Sequence, residues 1–219
     1  MKVIYEDNHL LVVDKPCNIP MQLDESNDKD LLTMAKEYIK DKYNKPGNVY
    51  IGLVHRLDRP VSGVCVFART SKAASRLTSI IQSKEFKKTY LAVVTDNNLK
   101  DRDTFKDYLL KDSKTNTVKV DPKGKLAILD YEVLAKKDNL ALVKINLQTG
   151  RSHQIRVQFS SRNHPLFGDQ RYNKQAKVKE QIALHSHSLE LIHPTTKEKL
   201  VFTSLPNRYP FNIFNLLNS

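Results

Sequence analysis

One segment of the chain places a carboxylate between two guanidinium groups: His55-Arg56-Leu57-Asp58-Arg59-Pro60-Val61-Ser62-Gly63. Because a nearby positive charge lowers the pKa of a carboxyl group, the pattern predicts that Asp58 stays ionised. An ionised aspartate can act as a nucleophile, a base or a stabiliser of positive charge. In isolation, the same segment is more typical of a structural ion pair or a turn. Pro60 and Gly63 predict a sharply shaped loop that leads into a strand.

A second charged segment reads Gly150-Arg151-Ser152-His153-Gln154-Ile155-Arg156. A glycine turn followed by the first residues of a helix would bring backbone N–H groups and Arg151 together at a corner that favours an anion. The anion could be a phosphate or a buried carboxylate. An ordinary helix start with surface arginines explains this segment equally well.

A third candidate is Tyr90, which follows Lys88 and Thr89 at the start of the apolar run YLAVV. A tyrosine offers a flat face on which a base can stack and a hydroxyl group for hydrogen bonding. A core tyrosine is the more common explanation when such a residue is taken alone.

Several familiar motifs are absent from the sequence. It contains no HExxH, no GxxxxGK[ST] and no GxGxxG, so the signatures of zinc proteases, nucleotide hydrolysis and dinucleotide binding are missing. His185 and His187 share one face of a predicted strand, but no third ligand completes a metal motif. We therefore expect no metal and no cofactor. A metal-dependent nuclease is disfavoured because no acidic cluster is visible.

Composition and charge further limit the class of protein to which the chain can belong. The chain has 219 residues, 40% of them hydrophobic, which is typical of a globular protein. Its longest apolar runs have five residues, whereas a membrane-spanning helix needs about 20. Two cysteines and no secretory signal indicate a reducing compartment, so we expect a cytoplasmic protein. The net charge of +12 is spread along the chain and favours a nucleic-acid partner, although charge can also serve solubility alone.

Hydrophobic periodicity predicts more strands than helices. An opening hairpin is expected over residues 3–15, and helices over 28–43, 71–82 and 152–161, with Thr70 or Ser71 as the cap of the second helix. Further strands are predicted at 62–68, 88–95, 104–110, 126–135, 139–147, 183–192 and 200–204. Because most neighbours are joined by short turns, the sheet should be mostly antiparallel and the fold class α+β.

Taken together, the motifs resemble those of the RluA-type family of RNA pseudouridine synthases. The matching segments occur in the family's order along nearly the whole chain: VIYEDNHLLVVDKP, HRLDRPVSG, KTYLAVV, QTGRSHQIRVQF, HPLFGDQRY and LHSHSLELIHP. The resemblance implies a mixed, mostly antiparallel β-sheet with flanking helices and a central catalytic cleft. It also implies a single catalytic domain over residues 1–219, without the small N-terminal S4 module that many relatives carry.

The resemblance implies roles for individual residues. Asp58 matches the essential aspartate, Tyr90 the tyrosine that packs on the target base, and Arg151 the basic residue that pairs with the aspartate. Arg56 matches an arginine that inserts into the RNA where the base was extruded. Leu189 matches an apolar residue that lines the pocket, although an ordinary core leucine fits this position nearly as well. The matched motifs contain the remaining substrate-binding candidates, which are His55, Arg59, His153, Gln154 and Arg156.

The implied substrate is a uridine in structured ribosomal or transfer RNA, and DNA is not expected as a partner. The isomerisation breaks one bond and forms another without net redox change, so it needs no cofactor. Either a covalent route or a glycal route would use the carboxylate. The family usually has His where this chain has Gln158, which leaves the function of that position open. We expect a monomer, and the alternative to an enzyme is an inactive RNA-binding or RNA-remodelling protein on the same fold.

Overall fold

A computed structural model describes residues 1–96 and 98–215. Contacts divide the chain into two compact units: unit 1 consists of Met1–Lys87 and Ser186–Ser204, and unit 2 of Lys88–His185 and Leu205–Ser219. The helices are α1 (Leu31–Lys42), α2 (Ser71–Gln82), α3 (Gln154–Ser160) and a 3-10 helix at Phe211–Phe214. The strands are β1 (Lys2–Glu6), β2 (Leu10–Lys15), β3 (Gly52–Leu53), β4 (Ser62–Ala68), β5 (Lys87–Thr95), β6 (Arg102–Asp112), β7 (Thr117–Val120), β8 (Lys125–Lys137), β9 (Leu140–Leu147), β10 (Leu184–Ile192) and β11 (Lys199–Thr203).

Unit 1 contains strands β1, β2, β3, β4 and β11 and most of β10. β2 pairs antiparallel with β1 on one side and with β4 on the other, and β11 pairs antiparallel with β10. All seven residues of β4 are buried, as expected for a strand covered on both faces. The catalytic candidates at 55–59 immediately precede this strand, so a rigid central element fixes one end of their loop.

The two helices of unit 1 begin at side-chain caps. Asp30 accepts a hydrogen bond from the N–H of Thr33 at 3.0 Å and starts α1, while Thr70 accepts one from Ala73 at 3.1 Å and starts α2. In α2, the buried residues Ala73, Leu77 and Ile80 recur at helical spacing and pack into the core of the unit. Both helices thus bury one apolar stripe.

Unit 2 is an antiparallel sheet in the strand order β5-β9-β8-β6-β7. Helix α3 contributes Phe159 to an aromatic cluster with Phe105 and Tyr131, whose ring centroids lie 4.9–5.2 Å apart. Aromatic contacts at such distances add to the energy of area burial. This packing holds α3 and the loop before it against the sheet.

The predicted α+β class is confirmed, and so are the strand at 62–68 and the helix at 71–82, with the same bounds. Strands β3 and β7 were not predicted, because two to four residues carry too little periodicity and only pairing with β4 and β6 defines them. Helix α3 starts later than predicted, since His153 has a left-handed φ of 51°. No helix in the described part of the chain is long and apolar enough to cross a membrane.

Candidate active site

The loop that carries Asp58 is anchored at its start by a neutral histidine ring. The His55 Nε2 atom accepts a hydrogen bond from the backbone N–H of Val66 at 3.0 Å. The ring also packs against Phe86, with 5.3 Å between the centroids. His55, predicted to bind substrate, therefore has a structural contact with β4 that sets where the loop begins.

A buried lysine holds the other half of the loop, and the sequence analysis did not single it out. The ammonium group of Lys15 donates to the carbonyl oxygens of Pro16 at 3.1 Å, Arg59 at 2.9 Å and Val61 at 2.7 Å. Its side chain is fully buried at the end of β2. A lysine at the end of a strand that begins with the apolar run Leu10–Val13 was the signal that could have drawn attention to it.

Burial lowers the pKa of Lys15 to about 8, because removing an ammonium group from water disfavours its charged form. The negative charge of Asp58 acts in the opposite direction and raises this pKa. The ammonium group is therefore linked to the Asp58 loop both through backbone carbonyl oxygens and through the charge of Asp58.

Asp58 itself is half-buried and sits at the start of a tight turn. Its carbonyl oxygen accepts the N–H of Val61 at 3.0 Å. Two residues further on, Gly63 has a φ of +111°, a conformation that residues with a side chain rarely adopt. The sharply shaped loop predicted from Pro60 and Gly63 is confirmed.

The two arginines beside Asp58 have different surroundings. Arg56 is exposed. The Arg59 guanidinium donates to Ser26 Oγ at 2.8 Å and forms a short ion pair with Asp28. Arg59 thereby ties the segment 24–28 to the Asp58 loop, a contact that sequence spacing did not reveal.

Leu189, predicted to line the pocket, is fully buried in the core of unit 1. It pairs across the strands with Phe202 and belongs to the same apolar cluster as Val64 and Val66. These contacts show that Leu189 packs in the core. That it also lines the substrate pocket stays a prediction.

In unit 2, Tyr90 lies on β5 and is 7% exposed. Its backbone is in register with Ile145 of β9. Lys88, two residues earlier on the same face, is largely buried, and this burial lowers its pKa. A Cβ added to Gly150 would lie 2.9 Å from the Lys88 ammonium nitrogen, so the glycine makes room for that group.

The loop before α3 is held by one buried amide side chain. The Gln154 Oε1 atom accepts from Thr149 Oγ1 at 2.8 Å and from the N–H of Arg151 at 3.0 Å, while Nε2 donates to the Ile128 carbonyl at 3.1 Å. The predicted corner of anion-facing N–H groups therefore lacks one donor, because the Arg151 N–H already donates to Gln154 Oε1. Gln154 thus stabilises the conformation of the loop.

The Arg151 side chain is exposed and its Nε atom donates to the carbonyl oxygen of Leu126 at 2.9 Å. This bond places the guanidinium at the start of β8. His153 is half-buried, with Nδ1 2.7 Å from the hydroxyl oxygen of Tyr172. That hydroxyl also accepts the N–H of Val118 at 2.9 Å, which connects the loop to β7.

Arg156 forms a buried ion pair with Asp169, with bonds of 2.8 Å from Nε and 2.7 Å from Nη2. Both side chains are nearly inaccessible, and the guanidinium lies over the ring of Tyr172. Such a bidentate pair is strongly oriented. The contact gives Arg156 a structural role in joining α3 to the segment after it, whatever part it takes in substrate binding.

Gln158 is fully buried, with Nε2 donating to Asp107 at 2.7 Å. Asp107 also receives both terminal nitrogens of Arg162. Within residues 1–96 and 98–215, the Gln158 Oε1 atom has no hydrogen-bond partner. This position thus belongs to a structural network beneath the sheet.

The structure brings the candidates together as two sets. The Asp58 loop of unit 1 carries His55, Arg56 and Arg59 and rests on Lys15. In unit 2, the Arg151 loop carries Gln154 and precedes α3, while Tyr90 lies on β5. Among the residues that the structure describes, no group of three or more His, Cys, Asp or Glu side chains could hold a metal ion.

Comparison with known proteins gives this arrangement a class. The family model described as RNA pseudouridylate synthase matches residues 9–161. The "Uncharacterized RNA pseudouridine synthase YhcT" of Bacillus subtilis is 33% identical over 205 residues, which cover 92% of this chain and 67% of that protein. The "Ribosomal large subunit pseudouridine synthase D" of Yersinia pestis is 31% identical over 209 residues, covering 89% and 63%. The chain thus spans about two thirds of the length of these relatives.

Solved structures show the same fold. "Human RNA Pseudouridylate Synthase Domain Containing 1" aligns with a TM-score of 0.76 and 22% identity over 94% of this chain and 83% of that one. "Human RNA Pseudouridylate Synthase Domain Containing 4" aligns with a TM-score of 0.75 and 20% identity over 95% and 89%. The fold and the ordered motifs define an isomerase that acts on RNA. The chain belongs to the RNA pseudouridylate synthase family.

Proposed function

We propose that this protein converts uridine to pseudouridine in ribosomal RNA, with Asp58 as the essential carboxylate. The observation that carries the proposal is the construction of the Asp58 loop. A fully buried ammonium group and a half-buried histidine fix a short turn that carries one half-buried carboxylate. Proteins seldom bury a lysine without a reason, because the desolvation of its charge is costly. The large-subunit names of several relatives support ribosomal RNA as the substrate.

The chemistry requires few groups. The N1–C1′ glycosidic bond breaks, the uracil rotates, and C5 forms the new bond to C1′. The Asp58 carboxylate either bonds covalently to the nucleotide or takes a ribose proton on a glycal route, and it is regenerated in both cases. C5 then loses its proton to a base, a step in which the Tyr90 hydroxyl is our candidate, and N1 takes up a proton in place of its broken bond to C1′. The uracil keeps its formula, so no electrons are lost or gained.

The arginines have supporting roles in this proposal. Arg151 is exposed on the loop before α3 and is our candidate for the basic residue of the reaction. A uridine in a folded RNA must leave its stack, which costs a few kcal/mol. Arg56, exposed on the loop, fills the vacated position and offsets part of this cost. His55, Arg59, His153, Gln154 and Arg156 shape the two loops that present these groups.

Further parts of the proposal concern the whole protein. We propose that residues 1–219 act as one catalytic domain and as a monomer, without metal or cofactor, in the cytoplasm. Transfer RNA is the second substrate to test, since a net charge of +12 favours binding to the phosphates of any structured RNA.

The decisive experiment measures tritium release from RNA labelled at C5 of uracil, because formation of the C5–C1′ bond must free that hydrogen. Unmodified transcripts of large-subunit ribosomal RNA and of transfer RNA are incubated with the protein. Wild type is expected to release tritium, and Asp58→Asn is expected to release none while it still binds RNA. Asp41→Asn makes the same chemical change at an exposed position of α1 and serves as the control.

Two results would contradict the proposal. Release that survives in Asp58→Asn would remove the carboxylate from the mechanism. Salt-sensitive RNA binding by the wild type without release from any transcript would favour the alternative, a non-catalytic RNA-binding protein.

A further inference from the structure

Unit 2 exposes an aromatic ring on the open face of its sheet. Tyr108 of β6 is 49% exposed, whereas its neighbours Phe105 and Leu109 are buried on the opposite face. Side chains alternate along a strand, so Lys106 lies on the same open face as Tyr108. Across the strands, Tyr108 faces Leu126, and Lys106 faces Ile128.

The charges around this ring are unbalanced. Lys106 lies on this face, and Lys123 lies in the turn that follows Asp121, whose N–H donates to the Tyr108 carbonyl. Both lysines are exposed and, among the described residues, neither forms an ion pair. The nearby acids are occupied by other groups: Asp130 accepts from Thr104 and Gln148, Asp121 accepts from Lys119 and from the N–H of Lys123, and Asp107 binds Arg162 on the other face. The open face therefore combines a flat ring with uncompensated positive charge.

This surface lies close to the Arg151 loop. After β9 ends, the N–H groups of Gln148 and Thr149 both donate to Ile128, and Arg151 then reaches the Leu126 carbonyl. The loop therefore runs along one side of β8, while β6 with Tyr108 pairs with the other side. With strands spaced about 4.8 Å apart, the two backbones are separated by about 10 Å.

We propose that Tyr108 is a stacking site for a base of a single-stranded nucleotide that flanks the target uridine, with Lys106 and Lys123 as contacts to its phosphates. The proposal rests on the function proposed above, which places RNA at the Arg151 loop. An aromatic side chain on an open strand, flanked by cations, is the arrangement that unpaired RNA bases use for stacking. The excess charge favours a polyanion over an apolar protein surface as the occupant.

The absence of tryptophan from the sequence allows a direct test. Tyr108→Trp introduces a single tryptophan, and a base stacked on it should quench its fluorescence. The probes are a short oligouridylate and an RNA duplex of the same length. We expect saturable quenching by the oligouridylate and little by the duplex, whose bases are already stacked. Leu134→Trp, at an exposed apolar position of β8, is the control that should not be quenched.

Binding measurements on two further variants separate stacking from hydroxyl chemistry. Tyr108→Ala should weaken oligouridylate binding roughly 5- to 100-fold, as expected for loss of one stacked base. Tyr108→Phe keeps the ring and should bind like wild type. Because Tyr108 is exposed, both variants should keep the thermal midpoint of the wild type.

The proposal is overturned if Tyr108→Ala binds as tightly as wild type, or if Tyr108→Trp is not quenched. It is also overturned if sedimentation shows a wild-type dimer that Tyr108→Ala dissociates without any loss of RNA binding. Quenching that persists while wild type releases no tritium from C5-labelled RNA would refute the proposed reaction and leave the stacking site standing. Tritium release by the wild type, with RNA binding unchanged in every Tyr108 variant, would refute the stacking site and leave the proposed reaction standing.

Discussion

At the scale of single residues, Lys15 is the most consequential side chain that carries no chemistry in the proposed reaction. Its ammonium group offers three hydrogens and meets three carbonyl oxygens, two of them in the Asp58 loop. Removing the donors would leave buried carbonyl groups without hydrogen-bond partners. The free-energy cost of such unpaired groups exceeds the net stabilisation that the hydrogen bonds provide. The loop therefore depends on one residue from a different strand.

The first prediction concerns Lys15→Met, which keeps the length of the side chain and removes its charge and its donors. We expect a loss of roughly 3–5 kcal/mol in the free energy of unfolding and a disordered Asp58 loop. Urea denaturation followed by circular dichroism measures the loss. Lys36→Met, at an exposed position of α1, is the control and should change stability by less than about 0.5 kcal/mol.

The pH dependence of the same pair of proteins tests the lowered pKa of Lys15. Between pH 8 and about 10.5, the unfolded state binds more protons at this residue than the folded state, so its contribution to stability rises with pH. The full window corresponds to at most about 3 kcal/mol. The wild type should therefore gain more stability than Lys15→Met between pH 7.5 and 9.5, and equal slopes would contradict the assignment.

At the scale of elements, β4 and β10 come so close that only glycine fits at one position. A Cβ on Gly63 would lie 2.2 Å from the carbonyl oxygen of Ser186, a backbone atom that cannot move aside. Ser186 Oγ also donates to the Val64 carbonyl at 2.9 Å, which fixes the two strands at this point. The strand that follows the Asp58 loop is thus held where the loop ends.

The second prediction follows from this approach. Gly63→Ala should destabilise the protein by roughly 3 kcal/mol or more, because backbone strain is added to a steric clash. Gly47→Ala is a matched control: Gly47 also has a positive φ, of 81°, but no atom lies within 4 Å of its added Cβ, so strain alone should cost about 1–2 kcal/mol. Thermal denaturation of the two variants measures the difference, and equal losses would show that the close approach does not matter.

At the scale of the whole molecule, the net charge of +12 should dominate encounter with RNA. Much of this charge is uncompensated, but some lysines are neutralised locally. Lys199, for instance, lies 3.1 Å from Glu190. Charge that is already paired should contribute less to the release of counterions from RNA than charge that is not.

The third prediction is that the logarithm of the RNA-binding constant falls linearly with the logarithm of salt concentration. For single-stranded RNA, each neutralised phosphate adds about −0.7 to the slope. Lys106→Gln should reduce the magnitude of the slope by roughly one such increment, whereas Lys199→Gln should leave it unchanged. Fluorescence anisotropy at 50 to 200 mM salt provides the measurement, and a slope near zero for wild type would contradict an electrostatic interface.

The sequence alone determined most of the secondary structure and the family. Strand β4 and helix α2 could be predicted with their bounds, because each combines a regular apolar period with clear end signals: Thr70 is a cap, and Pro60 and Gly63 mark the loop. The six motifs led to the family because they occur in the family's order along the chain. Each match alone is weak, but six matches in the right order are strong evidence. The identity of Asp58, Tyr90 and Arg151 as candidates came from the same source.

Tertiary structure alone decided what each candidate touches. No pattern in the chain indicates that Lys15 binds the backbone at 59 and 61, that Gln154 holds the Arg151 N–H, or that Arg156 faces Asp169. These contacts join residues that are far apart in sequence or depend on the burial of a polar group. Local propensity and periodicity report only on neighbours along the chain, whereas the cost of an unpaired buried charge or carbonyl is set by what the fold packs around it.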